Sequence, residues 1–160
     1  MSDGLRIGSA LDAHRLGPGI PLVLGTVAID HPEGLIGHSD GDVVAHALCD
    51  ALLAAAGDVD IGVVFPSGDP GWRGVSGTRM LEVVVGRLRE NGVAVVNAHA
   101  TVVCERPRIA PHREDMSRAL SAVVGAPVGV HATTTDGMGF TGRGEGIACQ
   151  AVALVRVEAS

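Results

Sequence analysis

Three helix-length segments, each shut by a glycine, alternate with runs rich in β-branched residues, and this order constrains the fold more than any other feature. Asp42 stands where a helix N-cap belongs, and the Ala/Leu-rich stretch after it runs to about Ala56 and is stopped by Gly57. Ser76 caps a second helix, Gly77 to Asn91. Its apolar residues Met80, Leu81, Val84, Val85 and Leu88 recur at helical spacing ahead of Gly92. Pro107 and Pro111 delay a third helix, Arg113 to Val124, which Gly125 ends. Strands are predicted over Leu5–His14, Val93–Glu105, Val128–Thr135 and Ile147–Val157, with a short hairpin from Leu22–Leu24 and Val27–Ile29. The segments 34–42, 60–71 and 136–146 read as loops. There are no repeats, linkers or low-complexity tracts. The pattern predicts one domain over residues 1–160, an α/β (α+β) two-layer sandwich with helices on one face of a four-stranded mixed sheet.

Composition narrows the function classes. Hydrophobic residues make up 46% of the chain but aromatics only 2%, so the core has to be built from Val, Ala, Leu and Ile. The formal net charge of −6 argues against a nucleic acid or an anionic membrane as partner, because those surfaces require clustered Lys and Arg. An anionic small substrate is compatible with this charge if metal ions or backbone N–H groups supply the positive field. Cys49, Cys104 and Cys149 are odd in number and form no CxxC pair, which disfavours a disulfide framework and favours a reducing cytosol. Met1 to Leu11 lacks the pattern of a signal peptide, and no apolar run approaches the roughly 18 residues of a membrane span. A cytoplasmic location is the expectation.

Four segments hold most of the reactive side chains. Asp12 and His14 are two residues apart, so on a strand they share a face, and His46 lies on the first helix. Together they offer one carboxylate and two imidazoles to a borderline metal such as zinc, with a fourth position left open as in catalytic sites. The bland alternative is a turn-capping Asp12 beside ordinary histidines. The loop His38-Ser39-Asp40-Gly41-Asp42 offers a hydroxyl, carboxylates and N–H groups near a helix start, which favours anions, or is simply a capping loop. Asp60-Ile61-Gly62 precedes Phe65-Pro66, where Phe65 is either a core plug or a substrate contact. Thr133-Thr134-Thr135-Asp136 runs into a glycine-rich stretch that either grips a phosphate or forms a long hairpin turn. Asp136 has the chemistry to hold a hard divalent cation. The Walker pattern is absent.

The long motifs DAH at 12–14, HSDGDVVAHALCDALL at 38–53, DIG at 60–62, FP at 65–66 and TTTDGMGFTGRGEGIA at 133–148 resemble those of the 2-C-methyl-D-erythritol 2,4-cyclodiphosphate synthase family, in order and over essentially the whole chain. The resemblance implies a homotrimer around a threefold axis with active sites between subunits. It makes Asp12, His14 and His46 the zinc ligands, and His38 and Thr134 the residues that stabilise the transition state. It assigns Asp136 to a second divalent ion, Mg²⁺ or Mn²⁺. Ser39, Asp60, Ile61, Gly62, Phe65, Pro66 and Asp69 would contact the methylerythritol phosphate end of the substrate. Cys104, Pro107, Ile109 and Ala110, with Thr133 and Thr135, would hold the cytidine monophosphate end from a neighbouring subunit. Phe140 and Arg143 fall at substrate or trimer-axis positions. The implied reaction converts 4-diphosphocytidyl-2-C-methyl-D-erythritol 2-phosphate to the cyclic diphosphate with release of CMP. The chain departs from the family pattern at Asp136 (commonly Glu), Ser67 (commonly a carboxylate), His131 (frequently Lys) and Gln150 (frequently Glu). Two other classes compete: a metal-dependent phosphohydrolase, which the same ligands would serve, and a non-catalytic trimer that binds an isoprenoid diphosphate, which would need neither the zinc set nor Thr134.

Overall fold

The computed structural model describes residues 4–158, so the outermost residues of the single domain predicted over 1–160 lie outside the described residues. The chain runs β1 (Gly4–Pro18), β2 (Leu22–Leu24), β3 (Val27–Ile29), β4 (Glu33–Leu35), α1 (Val43–Ala56), α2 (Ile61–Val64) and α3 (Gly77–Glu90). It continues through β5 (Val93–Val103), α4 (Arg113–Val124), β6 (Val128–Thr133), α5 (Gly139–Gly142) and β7 (Gly146–Val157). One-turn 3₁₀ helices lie at Pro70–Trp72 and Ala110–His112.

The helix boundaries follow their caps. Asp42 accepts from the N–H groups of Val44 and Ala45, and Gly57 closes α1 in the left-handed conformation at φ 72°. Ser76 accepts from Arg79 N–H at the start of α3, and Gly125 ends α4 at φ 75°. The predicted loops at 60–71 and 136–146 each contain a short helix, too brief for a hydrophobic period to show.

The main sheet is mixed, as expected, but has five strands in the order β4-β1-β7-β5-β6, where four were predicted. Only β5 and β6 are parallel. The fifth strand arises because β1 continues past His14 to Pro18, and its last residues Leu16–Pro18 pair with Glu33–Leu35. Gly34 permits this pairing: a Cβ there would stand 2.3 Å from the Ile20 carbonyl oxygen. A three-residue strand carries no alternation to read in sequence. β2 and β3 form the predicted separate hairpin.

α1 lies across β1 and β7 and is backed by α3. Its approach to β1 is close, since a Cβ on Gly8 would sit 2.2 Å from the backbone nitrogen of Ala55. Arg87 on α3 donates to Asp58 just beyond α1, with Nη2 and Oδ1 2.7 Å apart, which ties the two helices together. Buried Val, Ala and Leu fill the space between sheet and helices, as the scarcity of aromatics requires. The other face of β1 is open and apolar, with Leu5, Ile7 and Leu11 exposed to 60%, 72% and 72%. No helix among the described residues is long and apolar enough to cross a membrane.

Candidate metal and substrate site

Strand alternation aims Asp12 and His14 at α1, and the first turn of α1 carries His46 to meet them. Asp12 Oδ2 is 2.9 Å from His14 Nε2 and 3.3 Å from His46 Nδ1, and the two nitrogens are 3.1 Å apart. The outer nitrogens are occupied. His14 Nδ1 is 2.8 Å from the Ile36 carbonyl, which can only accept, so the proton sits on Nδ1 and Nε2 offers a lone pair. His46 Nε2 meets Ser39 Oγ at 2.8 Å, and that hydroxyl also accepts the Gly41 N–H. Both rings are thereby oriented from behind, in the way that metal-bound imidazoles usually are.

Two nitrogen lone pairs and a carboxylate oxygen therefore converge on one point. Neutral rings in this arrangement repel the carboxylate unless a cation stands between them. Without a metal, a proton takes that role: the hydrogen bond to Asp12 raises the His14 pKa above its ordinary value, against the opposing effect of burial. Burial pushes the Asp12 carboxyl up, but hydrogen bonds from His14 and His46 outweigh it and hold Asp12 well below the usual carboxylate range. One oxygen and two nitrogens suit zinc, and no fourth protein donor joins them among the described residues. The donor set fits the metal predicted from the sequence.

A cavity of about 280 Å³ opens beside this cluster. Of the predicted site residues, His14, His38, Ser39, His46, Ile61, Gly62, Phe65, Pro66 and Asp69 line it. Asp60 stands one residue before the lining and begins α2 without a side-chain cap bond. Phe65 is 8% exposed, as a core plug would be, and it also walls the cavity and packs edge-on against Trp72 with ring centroids 4.9 Å apart. Trp72, Val75 and Met80 complete the apolar wall and were not anticipated. Trp72 is the only tryptophan and falls in an irregular segment, the one signal that could have marked it.

The second predicted group lies elsewhere on the chain. None of Cys104, Pro107, Ile109, Ala110, Thr133, Thr134, Thr135, Asp136, Phe140 or Arg143 lines that cavity. Cys104 and Thr133–Asp136 stand at the ends of β5 and β6, where Cys104 N–H donates to the Thr133 carbonyl and Glu105 Oε1 accepts from Gly137 N–H at 3.1 Å, while Phe140 lies in α5 and Arg143 caps it. The side chains of Cys104 and Ile109 are buried, which leaves their backbone for any ligand. Burial, with Glu105 adding to it, pushes the Cys104 thiol up to about 11, so no thiolate nucleophile is offered there. Thr134 Oγ1 donates to Asp136 Oδ1 at 3.3 Å, and Asp136 itself is exposed at φ 52°. Phe140 is exposed, and Arg143 forms a two-bond pair with Glu145 at 3.0 and 3.2 Å.

The model of the YgbB family matches residues 5–156. The chain belongs to this family, that of the cyclodiphosphate synthases. It is 53% identical over 152 residues to a 2-C-methyl-D-erythritol 2,4-cyclodiphosphate synthase of Symbiobacterium thermophilum, covering 93% of this chain and 97% of the relative. The synthase of Desulfatibacillum aliphaticivorans is 48% identical, over 94% of this chain and 99% of its own. A bifunctional enzyme IspD/IspF of Caulobacter vibrioides is also 48% identical, but this chain spans only 41% of its length. Among solved structures, a bifunctional IspDF from Campylobacter jejuni superposes with a TM-score of 0.93 at 32% identity, over 98% of this chain and 43% of that one. A cyclodiphosphate synthase in a CDP-bound form gives 0.86 at 36% identity, over 94% and 99%. The two solved structures share the fold of this chain.

Proposed function

We propose that the protein is the cyclising enzyme of its family. It takes 4-diphosphocytidyl-2-C-methyl-D-erythritol 2-phosphate to 2-C-methyl-D-erythritol 2,4-cyclodiphosphate and CMP in the non-mevalonate isoprenoid route. In class it is a phosphorus–oxygen lyase. The observation that carries this reading is the convergence of Asp12, His14 and His46 lone pairs beside a cavity walled by His38 and the Ile61–Trp72 segment. Zinc held by the three donors supplies Lewis acidity to a phosphate oxygen. Asp136 is the residue to hold a second divalent cation, Mg²⁺ or Mn²⁺. Such ions take one or two carboxylates plus substrate phosphates, which suits a lone exposed Asp.

The reaction is an intramolecular displacement. An oxygen of the 2-phosphate forms a bond to the β-phosphorus, and the bond from that phosphorus to the bridging oxygen breaks as CMP leaves. The chain supplies no nucleophile, and its work is to fold a flexible polyanion and stabilise charge. Asp60, Ile61 and Gly62 hold the methylerythritol end, with Phe65, Pro66 and Asp69 as the facing wall. Gly62 leaves open space there, since a Cβ would meet nothing within 4 Å. His38 and Thr134 stabilise the developing charge from two sides. The Cys104–Ala110 loop and Thr133–Thr135 hold the nucleotide end.

Two observations support a homotrimer. The open face of β1 exposes Leu5, Ile7 and Leu11, an apolar surface that a second copy would cover. The two predicted halves of the site are separate on one chain, so a neighbour has to bring the nucleotide half to the metal half. A monomeric mass by light scattering at micromolar concentration would refute this arrangement. His46→Ala tests the metal assignment: zinc and turnover should be lost together, and full zinc content by elemental analysis would overturn it. No sequence feature or distance favours hydrolysis over cyclisation, and product analysis separates the two.

A further inference from the structure

The loop carrying His38 is stapled to the opposite wall of the cavity by three hydrogen bonds. Gly74 N–H donates to the His38 carbonyl at 2.8 Å, and Asp40 N–H donates to the Val75 carbonyl at 3.0 Å. A side chain makes the third, in which Asp40 Oδ2 accepts the N–H of Gly77, the first residue of α3, at 2.8 Å. Its other oxygen, Oδ1, accepts the N–H of Asp42, the N-cap of α1, at 3.0 Å. One carboxylate thus spans the starts of two helices, where the dipoles favour negative charge. The helix starts themselves touch, because a Cβ on Gly77 would stand 2.6 Å from Ala45 Cβ. Asp40 does not line the cavity beside the metal donors, whereas His38 and Ser39, just before it, do.

We propose that Asp40 is a positioning residue for the cyclisation, a role that rests on the reaction assigned above. It fixes the His38–Ser39 backbone against the Phe65–Val75 wall, so that His38 meets the reacting phosphates at one distance. The loop needs such a pin because it is flanked by Gly37 and by Gly41, the latter at φ 76°. Misplacing a catalytic group by about 1 Å costs on the order of a hundredfold in rate. The competing role is purely structural, a cap whose loss only lowers stability.

Asp40→Asn and Asp40→Ala separate the two. In the Asn variant one oxygen becomes an N–H₂ group, so either Asp42 or Gly77 loses its acceptor while volume is kept. Both variants should show the wild-type circular dichroism spectrum and full zinc content at saturating zinc. Asp40→Asn should lower kcat by about tenfold or more, with a smaller change in KM. The decisive measurement is the same substitution in a His38→Ala background. There it should cost less than about twofold, because the group it positions is gone. An equal loss in both backgrounds, or normal turnover by Asp40→Asn alone, overturns the proposal. If the wild-type protein releases no CMP from the cytidyl substrate, the reaction assignment fails by itself. The staple is then read from amide exchange at Gly74 and Gly77, which should quicken about tenfold or more in Asp40→Asn, and unchanged exchange refutes it.

Discussion

Removing the Asp42 carboxylate should be among the most damaging single changes outside the metal cluster. Asp42 is fully buried and accepts four backbone N–H groups. Two belong to α1, Val44 and Ala45, both at 3.1 Å, and two to the β2–β3 turn, Gly25 at 2.9 Å and Thr26 at 2.7 Å. Thr26 sits at φ 65°, a conformation that this hydrogen bond helps to hold. Loss of an N-cap costs about 1 kcal/mol. Each turn donor left buried without an acceptor costs about 1–3 kcal/mol. Asp42→Ala should therefore lose about 3–7 kcal/mol, a large part of the roughly 5–15 kcal/mol typical of a domain. Asp42→Asn should lose less. Oδ1 serves Gly25, Val44 and Ala45, so an amide oxygen in its place keeps three bonds and only Thr26 N–H faces the new N–H₂ group. Urea unfolding should be compared at one protein concentration, since association with other copies shifts apparent stability. A loss under about 1 kcal/mol for the Ala variant, or equal losses for Ala and Asn, would refute the hub role.

Gly8→Ala should destabilise by about 1–3 kcal/mol or more, because its Cβ would press on the backbone of Ala55 at 2.2 Å, and thermal unfolding reads this directly. Ser39→Ala should weaken zinc binding by about 10–100-fold in a chelator competition, since Ser39 orients His46 from behind. Zinc uptake by the chelator-stripped protein should release a proton at near-neutral pH, because Asp12 holds the metal-free His14 above its ordinary value of 6.5; calorimetry in buffers of different ionisation enthalpy measures it. His99 is shifted the other way, lowered by burial and then by His131, whose ring lies 4.6 Å from it. The folded state then binds that proton more weakly than the unfolded chain. Its contribution is complete above pH 6.5 and is lost as pH falls below that value, and His99→Gln should flatten the slope in pH-dependent unfolding.

The helices were legible because their ends are chemically marked: Asp42 with Gly57, Ser76 with Asn91 and Gly92, and Gly125 after Val124. The strands β5, β6 and β7 were legible in their β-branched residues. The fifth strand was not, because Glu33–Leu35 is defined by a tertiary pairing with Leu16–Pro18 rather than by its own sequence. The meeting of Asp12, His14 and His46 was legible from a two-residue spacing on β1 and one helical histidine. Its frame was not, because the Ile36 carbonyl that fixes His14 has no side-chain signature. The apolar wall at Trp72, Val75 and Met80 was missed for a similar reason, since α3 and a 3₁₀ turn bring it to the cavity from beyond the DIG and FP motifs. Asp42 read as a helix cap, and nothing in its neighbours' identities announced the two turn N–H groups it also binds.

The most direct test of the cyclase assignment is phosphorus NMR of the purified, zinc- and magnesium-loaded protein incubated with 4-diphosphocytidyl-2-C-methyl-D-erythritol 2-phosphate. The geometry predicts that the substrate signals give way to CMP and a cyclic diphosphate in equal amounts. CMP accompanied by a linear methylerythritol bisphosphate would instead make the protein a hydrolase, and unchanged substrate would remove the catalytic reading altogether.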